Sequence, residues 1–368
     1  MNSSEARCGI LTYHFAVNYG AVLQCYALRS SLNANGIRSE VINYVSNKQN
    51  NNNSLYRKGY GIKGLVKNVI LLPFHVTRSR RRKRFREFVN DRILDNETNI
   101  ITSLEELKDF VENQYEYVIS GSDQVFNPNI NDFNMAFFFP FKTSVTKIAY
   151  AASTGGATLQ ELMAFKEYID DFDTITSREN TTTDVLKKIT TKRINEVCDP
   201  VFLLTKNEWK QIVSDVKAQK YLLCYFVKTT DIKRKMETAE KIAKENGLQV
   251  LLLSARISKY NFSCRVVSDA GPIEFVSFLA NADYICTDSF HGTSFSLIFN
   301  KPFSTFERRE DAADGRKTNI LQSVNALERI YYLGDEWHKP KEIDYAEVNQ
   351  KLMVMKRESL QILLDAIQ

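Results

Sequence analysis

Four short stretches place a reactive or ligand-gripping side chain beside glycine or a hydroxyl at the end of an apolar run. They are "AVNYGA" at 16–21, "SGSDQ" at 120–124, "TSRE" at 176–179 and "DSFHGTS" at 288–294. The last holds His291, one of only four histidines in the chain. It follows the strand-like "YICTDS" and precedes the helix-like "TSFSLIFNKPF", which puts it at a helix N-terminus. The N–H groups of Gly292, Thr293 and Ser294 are expected to lack partners there, and the helix dipole adds about half a positive charge. Such an end binds anions. Gly292 would let a ligand approach the backbone, Ser289, Thr293 and Ser294 offer hydroxyls, and a histidine exchanges a proton near neutral pH. The plainer alternative is a capped helix with an incidental histidine.

Arg178 carries a planar fork suited to two oxygens of a carboxylate or phosphate, although arginines are common on any surface. "SGSDQ" offers a Gly-Ser turn able to cradle an anion or a hydroxyl-rich ligand, with Asp123 as a carboxylate. "NYGA" opens a helix with Gly20 but lacks the GxGxxG spacing of a dinucleotide site. HExxH, P-loop and GxSxG patterns are absent, and no metal-binding set is recognisable.

The elements that position these stretches follow from hydrophobic periodicity. "CGILTYHF" (8–15) predicts a strand, 20–36 a helix stopped by Gly36, and 39–45 a second strand: a βαβ unit and hence a parallel sheet. The tract 50–53, all asparagine, predicts a loop. Strands are expected within 115–128 and 146–156, an amphipathic helix over 159–172, then a short strand and helix through 189. The pattern restarts beyond Cys198. Strands at 220–227, 248–254 and 283–289 alternate with helices at 232–247 and 271–282, the second with Pro272 in its first turn. This reading gives an α/β fold of two facing Rossmann-like domains, 1–197 and 198–335, followed by a C-terminal segment, 336–368, whose helix packs back across them. In open parallel sheets ligands bind at the carboxyl ends of strands, which is where all four stretches fall.

Composition narrows the class. The 368 residues exceed what one hydrophobic core usually supports. Hydrophobic residues at 43% and charged residues at 25% fit a soluble globular chain. No apolar run reaches the roughly 18 residues of a membrane span. The longest, "GLVKNVILLPF" at 64–74, is too short, and the N-terminus lacks the features of a secretory signal, so a cytoplasmic location is expected. Six scattered cysteines without CxxC spacing read as buried free thiols. The net charge of +5 is unevenly spread, since residues 77–88 hold seven of the 49 basic residues. That run reads as a solvated helix face, or as a peripheral contact with anionic membrane through the basic residues between Arg78 and Arg86. Nucleic acid is not expected, because no recognition motif surrounds the run.

Taken in order, "GILTYHFAVNYGAVLQCYAL", "VISGSDQVFNP", "IAYAAS", "TSRENTTTDVL", "CDPVFLL" and "DSFHGTSFSLIFNKPF" resemble the polysaccharide pyruvyl transferase family over about residues 8–325. The resemblance implies a glycosyltransferase-B-like architecture, with the sugar acceptor on the N-terminal domain and the donor, phosphoenolpyruvate, on the C-terminal one. It implies transfer of the enolpyruvyl-derived group to a sugar of a polysaccharide precursor, commonly as a 4,6-ketal on a galactose-type residue, with release of phosphate. Such precursors serve capsule and cell envelope, and some are lipid-linked.

By resemblance, His291 and Arg178 contact phosphoenolpyruvate, with Ser289, Phe290, Gly292 and Thr293 around them. Ser289 stands where some relatives have arginine, so Arg316, Lys301, Arg308 or Arg309 is expected to supply the missing cation. Phe126 replaces a frequent tryptophan after "GSDQV". Asn18, Tyr19, Gly20, Ser122 and Asp123 are expected on the acceptor side. Ketal formation requires the donor methylene to be protonated and a sugar hydroxyl to attack the resulting oxocarbenium-like centre. His291 is the expected acid or proton shuttle, and Asp123 or Glu179 the base. The scheme needs no metal or organic cofactor. Two other readings compete: a nucleotide-sugar glycosyltransferase of the same architecture, and a non-enzymatic anion- or membrane-binding protein centred on the basic run.

Overall fold

Strands covered on both faces read as unbroken apolar runs, and such runs build two all-parallel sheets. The computed structural model describes residues 7–56, 69, 72–94, 99–216, 219–254, 263–310 and 315–367. The chain divides into a first unit, Met1–Leu203 with Met355–Gln368, and a second, Leu204–Val354. Most of the apolar run 64–74 and the N-terminal residues 1–6 lie outside the described residues.

The first sheet contains β1 (Arg7–Leu11), β2 (Arg38–Val41), β3 (Tyr117–Ser120), β4 (Thr146–Ala152), β5 (Thr174–Ser177) and β6 (Ile194–Glu196), in the order β2-β1-β3-β4-β5-β6. The second contains β7 (Tyr221–Tyr225), β8 (Gln249–Leu253), β9 (Arg265–Val267), β10 (Tyr284–Thr287), β11 (Phe303–Glu307) and β12 (Ile330–Tyr332), in the order β12-β11-β10-β7-β8-β9. Every neighbouring pair is parallel. The strand order reverses between β1 and β3 in the first unit and between β7 and β10 in the second. These are the topological switch points at which open α/β sheets bind ligands.

The helices that matter for the sites are α1 (Tyr19–Ala34), α2 (Asn47–Asn52), α3 (His75–Arg92), α4 (Leu104–Gln114), α5 (Asn180–Leu186), α6 (Ile232–Glu245), α7 (Pro272–Asn281), α8 (Phe290–Ile298), α9 (Arg316–Ser323) and α10 (Tyr345–Asp365). Residues 345–354 of α10 belong to the second unit and its remainder to the first. Aromatic residues fill the first core, with Phe126 stacked on Phe138 at 4.7 Å. In the second, α6 lays Met236, Ala239 and Ile242 on β7 and β8, with Trp337 in the same cluster.

Several expectations are corrected. The asparagine tract is not a loop: Ser46 accepts from the Gln49 N–H while the Gln49 side chain accepts from Ser46, a capping box that starts α2. The expected helix over 159–172 is two short helices, Leu159–Met163 and Lys166–Asp170, separated at Ala164 and Phe165. Strands β6, β9, β11 and β12 were not anticipated; β6, β9 and β12 have only three residues each, too few for a period to register. All six cysteines are free, but Cys264 is only half-buried.

Candidate active site

In the first unit, four strand exits converge on Asp123. β3 runs into Gly121, whose φ of +123° and a would-be Cβ at 2.3 Å from the Tyr150 carbonyl oxygen allow only glycine. The Ser122 N–H donates to Gln24 Oε1 (3.1 Å), its carbonyl accepts from Thr12 Oγ1 (3.2 Å), and its hydroxyl donates to the Ala151 carbonyl (2.8 Å). Asp123 then adopts φ 73°, a left-handed conformation that aspartate tolerates better than most residues. Its carbonyl accepts from the N–H groups of Val125 (2.8 Å) and Ser153 (3.0 Å).

The backbone thus fixes the Asp123 carboxyl, whose side chain is 15% exposed. One oxygen, Oδ1, accepts from Arg178 Nη2 at 3.4 Å. The other accepts no hydrogen bond among the described residues. Nearby, the Tyr13 hydroxyl is buried and has no hydrogen-bond partner among the described residues. Burial, and then the negative charges of Asp123 and Asp132, push its phenol pKa up, so it stays a donor.

Arg178 was expected to offer an open fork to phosphoenolpyruvate, and the structure corrects this. Its guanidinium is only 2% exposed and is divided among Asp199 (2.7 Å), Asp123 (3.4 Å) and Glu179 (3.4 Å). Burial alone would lower its pKa, but Asp199, Asp123 and Glu179 together raise it above the ordinary arginine value. A dianion approaching it would meet those carboxylates. Glu179 is likewise not a free base: it is buried and accepts from Ser153 Oγ (2.6 Å) and from the Thr182 hydroxyl. Asp199, in the "CDP" turn, also accepts from the Val201 N–H at 3.0 Å and ties the end of β6 to this cluster.

The other acceptor-side candidates do structural work. The Ser122 hydroxyl is buried and committed to Ala151. Asn18 caps α1 by accepting from the Gly20 N–H (3.1 Å), which is itself buried. Tyr19 is buried between Phe85 (5.1 Å between ring centroids) and the Arg81 guanidinium (5.0 Å), joining α1 to α3.

In the second unit, β10 ends at Thr287 and α8 begins one turn later. The expected free N–H groups are not free. Gly292 is capped by Ser289 Oγ (3.3 Å), and the Thr293 N–H donates to the Ser289 carbonyl (3.0 Å). The helix starts at Phe290, three residues before the Thr293 at which the reading began it. Gly292 serves packing rather than ligand approach, since a Cβ there would lie 2.3 Å from Thr287 Oγ1. The Thr293 hydroxyl pairs with that of Thr305 (2.9 Å), and the Ser294 hydroxyl donates to the Phe290 carbonyl (2.9 Å). His291 is half-buried and edge-on to Phe290 at 5.2 Å.

Sequence reasoning missed the frame behind His291. Asp288 accepts from the Val227 N–H (2.6 Å), the Lys228 N–H (3.2 Å) and Lys235 Nζ (2.7 Å), so it pins the exits of β7 and β10 to α6. Lys317, buried on α9, donates to Glu307 (3.1 Å) and to the Asp288 carbonyl (3.3 Å). Only burial distinguishes these lysines from the rest, and burial has no local signature. Of the cations expected to replace the absent arginine, Arg308 pairs with Glu310 and Asp231, and Arg309 with Asp335. Lys301 is half-buried beside the C-terminal end of α8, and Arg316 occupies the first turn of α9. Asp123, Glu179 and Arg178 are brought together in the first unit; Ser289, Phe290, His291, Gly292, Thr293 and Arg316 lie in the second. Among the described residues, no group of three or more His, Cys, Asp or Glu side chains is arranged to hold a metal ion.

These features define an α/β protein of the glycosyltransferase-B kind, with two Rossmann-like units and polar clusters at both switch points. Residues 18–309 match the sequence profile of the family described as polysaccharide pyruvyl transferase, and the chain belongs to that family. It is therefore a member of an enzyme family. No curated protein matches the chain significantly.

Solved structures share the fold. The UDP-N-acetylglucosamine 2-epimerase of Rickettsia bellii is 12% identical over 99% of this chain and 97% of its own, with a TM-score of 0.51. The UDP-GlcNAc 2-epimerase of Methanocaldococcus jannaschii is 12% identical over 95% and 92%, with a TM-score of 0.52. At such identities the likeness speaks to fold alone.

Proposed function

We propose that the protein transfers the enolpyruvyl-derived group of phosphoenolpyruvate to two hydroxyls of a sugar in a polysaccharide precursor, releasing phosphate. One observation carries the reading: Asp123, in the family's "SGSDQ" segment, is held at a switch point by its backbone and by Arg178, with one carboxylate oxygen uncommitted. In this scheme Asp123 is the base. Arg178 is a positioning residue that holds it, and Tyr13 donates to a sugar oxygen. His291, the N-terminal end of α8 and Arg316 take the donor's phosphate and carboxylate.

His291 delivers a proton to the methylene carbon of phosphoenolpyruvate as a sugar oxygen bonds to the adjacent carbon and its proton passes to Asp123. The bond from that carbon to the phosphate oxygen then breaks. The second sugar hydroxyl closes the ketal, and its proton leaves with phosphate. The balance is one phosphoenolpyruvate and one diol giving one ketal and one phosphate. A 4,6-diol of a galactose-type residue meets this requirement. The scheme calls for no metal or organic cofactor.

The reading also places the protein in the cytoplasm, peripherally at the membrane, where Leu72, Phe74 and Val76 stand exposed at the start of the basic helix α3. No helix among the described residues is long and apolar enough to cross a membrane. The test is phosphate release from phosphoenolpyruvate with a panel of galactose-containing acceptors, using the wild type, Asp123→Asn and His291→Ala. Acceptor-dependent release lost in both variants supports the reading. Release from no acceptor, together with tight binding of a nucleoside diphosphate, would replace it with a nucleotide-sugar enzyme.

A further inference from the structure

We infer that the first unit has a second substrate pocket, separate from the Asp123 turn, that takes the phosphate or diphosphate of an anionic glycan. As a statement about the acceptor, this rests on the transferase reading above. A cavity of about 660 Å³ opens between α2 and α3, within the range of roughly 300–1,000 Å³ typical of small-molecule sites. A lone phosphate would leave most of it empty, whereas a diphosphate carrying a sugar would not.

One wall is the face of α3 carrying Ser79, Arg82, Lys83 and Arg86, spaced to line up on a single side of a helix. The opposite wall presents Asn47, Asn50 and Asn53 from the capped helix that replaced the expected loop. The Asn53 amide N–H groups are committed to the Gln49 carbonyl (3.0 Å) and to Asp132 (3.4 Å), which leaves the amides of Asn47 and Asn50 to donate and accept as sugar hydroxyls require.

The charges point to the ligand. No carboxylate is among the described residues lining the cavity. Arg78 and Arg81, on the same helix, donate to the carbonyls of Leu55 (2.6 Å) and Val17 (3.3 Å), and Lys83 lies 3.6 Å from Glu87. Arg82 and Arg86 make no hydrogen bond or ion pair with any described residue. Arg82 is half-buried, so its charge is partly desolvated as well as crowded by Arg78 and Arg86. Arg86 beside it is exposed, and like charges held side by side, one of them half-buried, are stabilised when an anion enters between them.

The pocket is bonded to the reaction turn. His14, on its wall, bonds the Thr12 carbonyl through Nδ1 (3.2 Å) and the Asn43 amide through Nε2 (3.1 Å). The Thr12 hydroxyl in turn donates to Ser122, next to Asp123 (3.2 Å). Tyr13, between Thr12 and His14, carries the unpartnered hydroxyl on the reaction side.

The test begins with calorimetric titration of the full-length protein with inorganic pyrophosphate. Saturable binding that weakens about tenfold or more in Arg82→Ala/Arg86→Ala, the order expected for losing charge-assisted hydrogen bonds, supports the pocket. The melting temperature and the affinity for phosphoenolpyruvate serve as controls for folding. Absence of saturable binding, binding unaffected by the double variant, or association only with phosphatidylglycerol vesicles overturns it.

Displacement of pyrophosphate by a polyprenyl-diphosphate glycan but not by a UDP-sugar assigns a lipid-linked source, and the reverse assigns a nucleotide one. Displacement by neither overturns the proposal. A wild-type enzyme with equal KM for a glycan with and without the diphosphate refutes the pocket and leaves the transferase standing. Pyrophosphate binding without phosphate release from any acceptor does the opposite.

Discussion

Asp123 and Glu179 flank one arginine, yet their surroundings give them different work. Glu179 is closed in by Ser153, Thr182 and Arg178, so a substrate oxygen has no approach, whereas Asp123 keeps one oxygen uncommitted. Asp123→Asn removes the base without changing volume. The rate of transfer should fall by about 10²–10⁴ with the affinity for phosphoenolpyruvate unchanged, and with a smaller loss of stability than Glu179→Ala because the asparagine oxygen still accepts from Arg178. A lower melting temperature with an unchanged rate would move Asp123 from chemistry to structure. Glu179→Ala should act in the opposite sense, lowering stability by about 3–5 kcal/mol, as expected when one partner leaves a buried ionic cluster, read from urea denaturation. The sequence marked both residues, because both stand at strand exits, but it could not rank them. Ranking depends on contacts between "SGSDQ", "TSRE" and "CDP", which are far apart in the chain.

At the level of elements, the strand–turn–helix junctions were the most legible part of the chain. Apolar runs bounded by glycine fix where a strand ends whatever its neighbours do. The asparagine tract was misread because its composition outweighed its spacing: Ser46 and Gln49 stand in the Ser-x-x-Gln pattern of a capping box. The junction of β10 with α8 tests how closely such joints are built. Gly292→Ala forces a methyl group against Thr287, so stability should fall by about 1–3 kcal/mol and binding of phosphoenolpyruvate should weaken as the helix start shifts. Unchanged values for both would show that the joint has slack.

His14 gives the β1 exit a pH dependence. Burial lowers its pKa below the ordinary 6.5, against smaller opposing effects from Asn43 and Thr12. The unfolded chain therefore takes up this proton at a higher pH than the folded one. The stabilisation is complete above about pH 6.5 and declines as pH falls towards the folded value, by at most about 1.4 kcal/mol per pH unit. Urea midpoints measured between pH 7.5 and 5.5 should fall less steeply in His14→Gln than in the wild type; parallel curves would rule out this source.

At the scale of the whole molecule, the two sheets were foreseeable from alternating periods, but the membership of the last residues was not. No local pattern says that residues 355–368 belong with the first unit while 345–354 of the same helix belong with the second. The assignment rests on contacts made across the chain. The Ser359 hydroxyl accepts from the Cys198 N–H at 2.8 Å, and Leu363 and Ile367 are 1% and 2% exposed. Burying two such side chains contributes about 1.5–3 kcal/mol each, and the Cys198 N–H loses its partner if they go. A chain ending at Val354 should therefore lose stability in one unit and not the other. Calorimetry of the full chain, whose units need not unfold as one, provides the comparison. Truncation should move the transition of the first unit to lower temperature and leave that of the second in place. A common downward shift of a single transition would mean that the two units melt cooperatively and that α10 stabilises both, while an unchanged profile would mean that the tail contributes nothing to the first core.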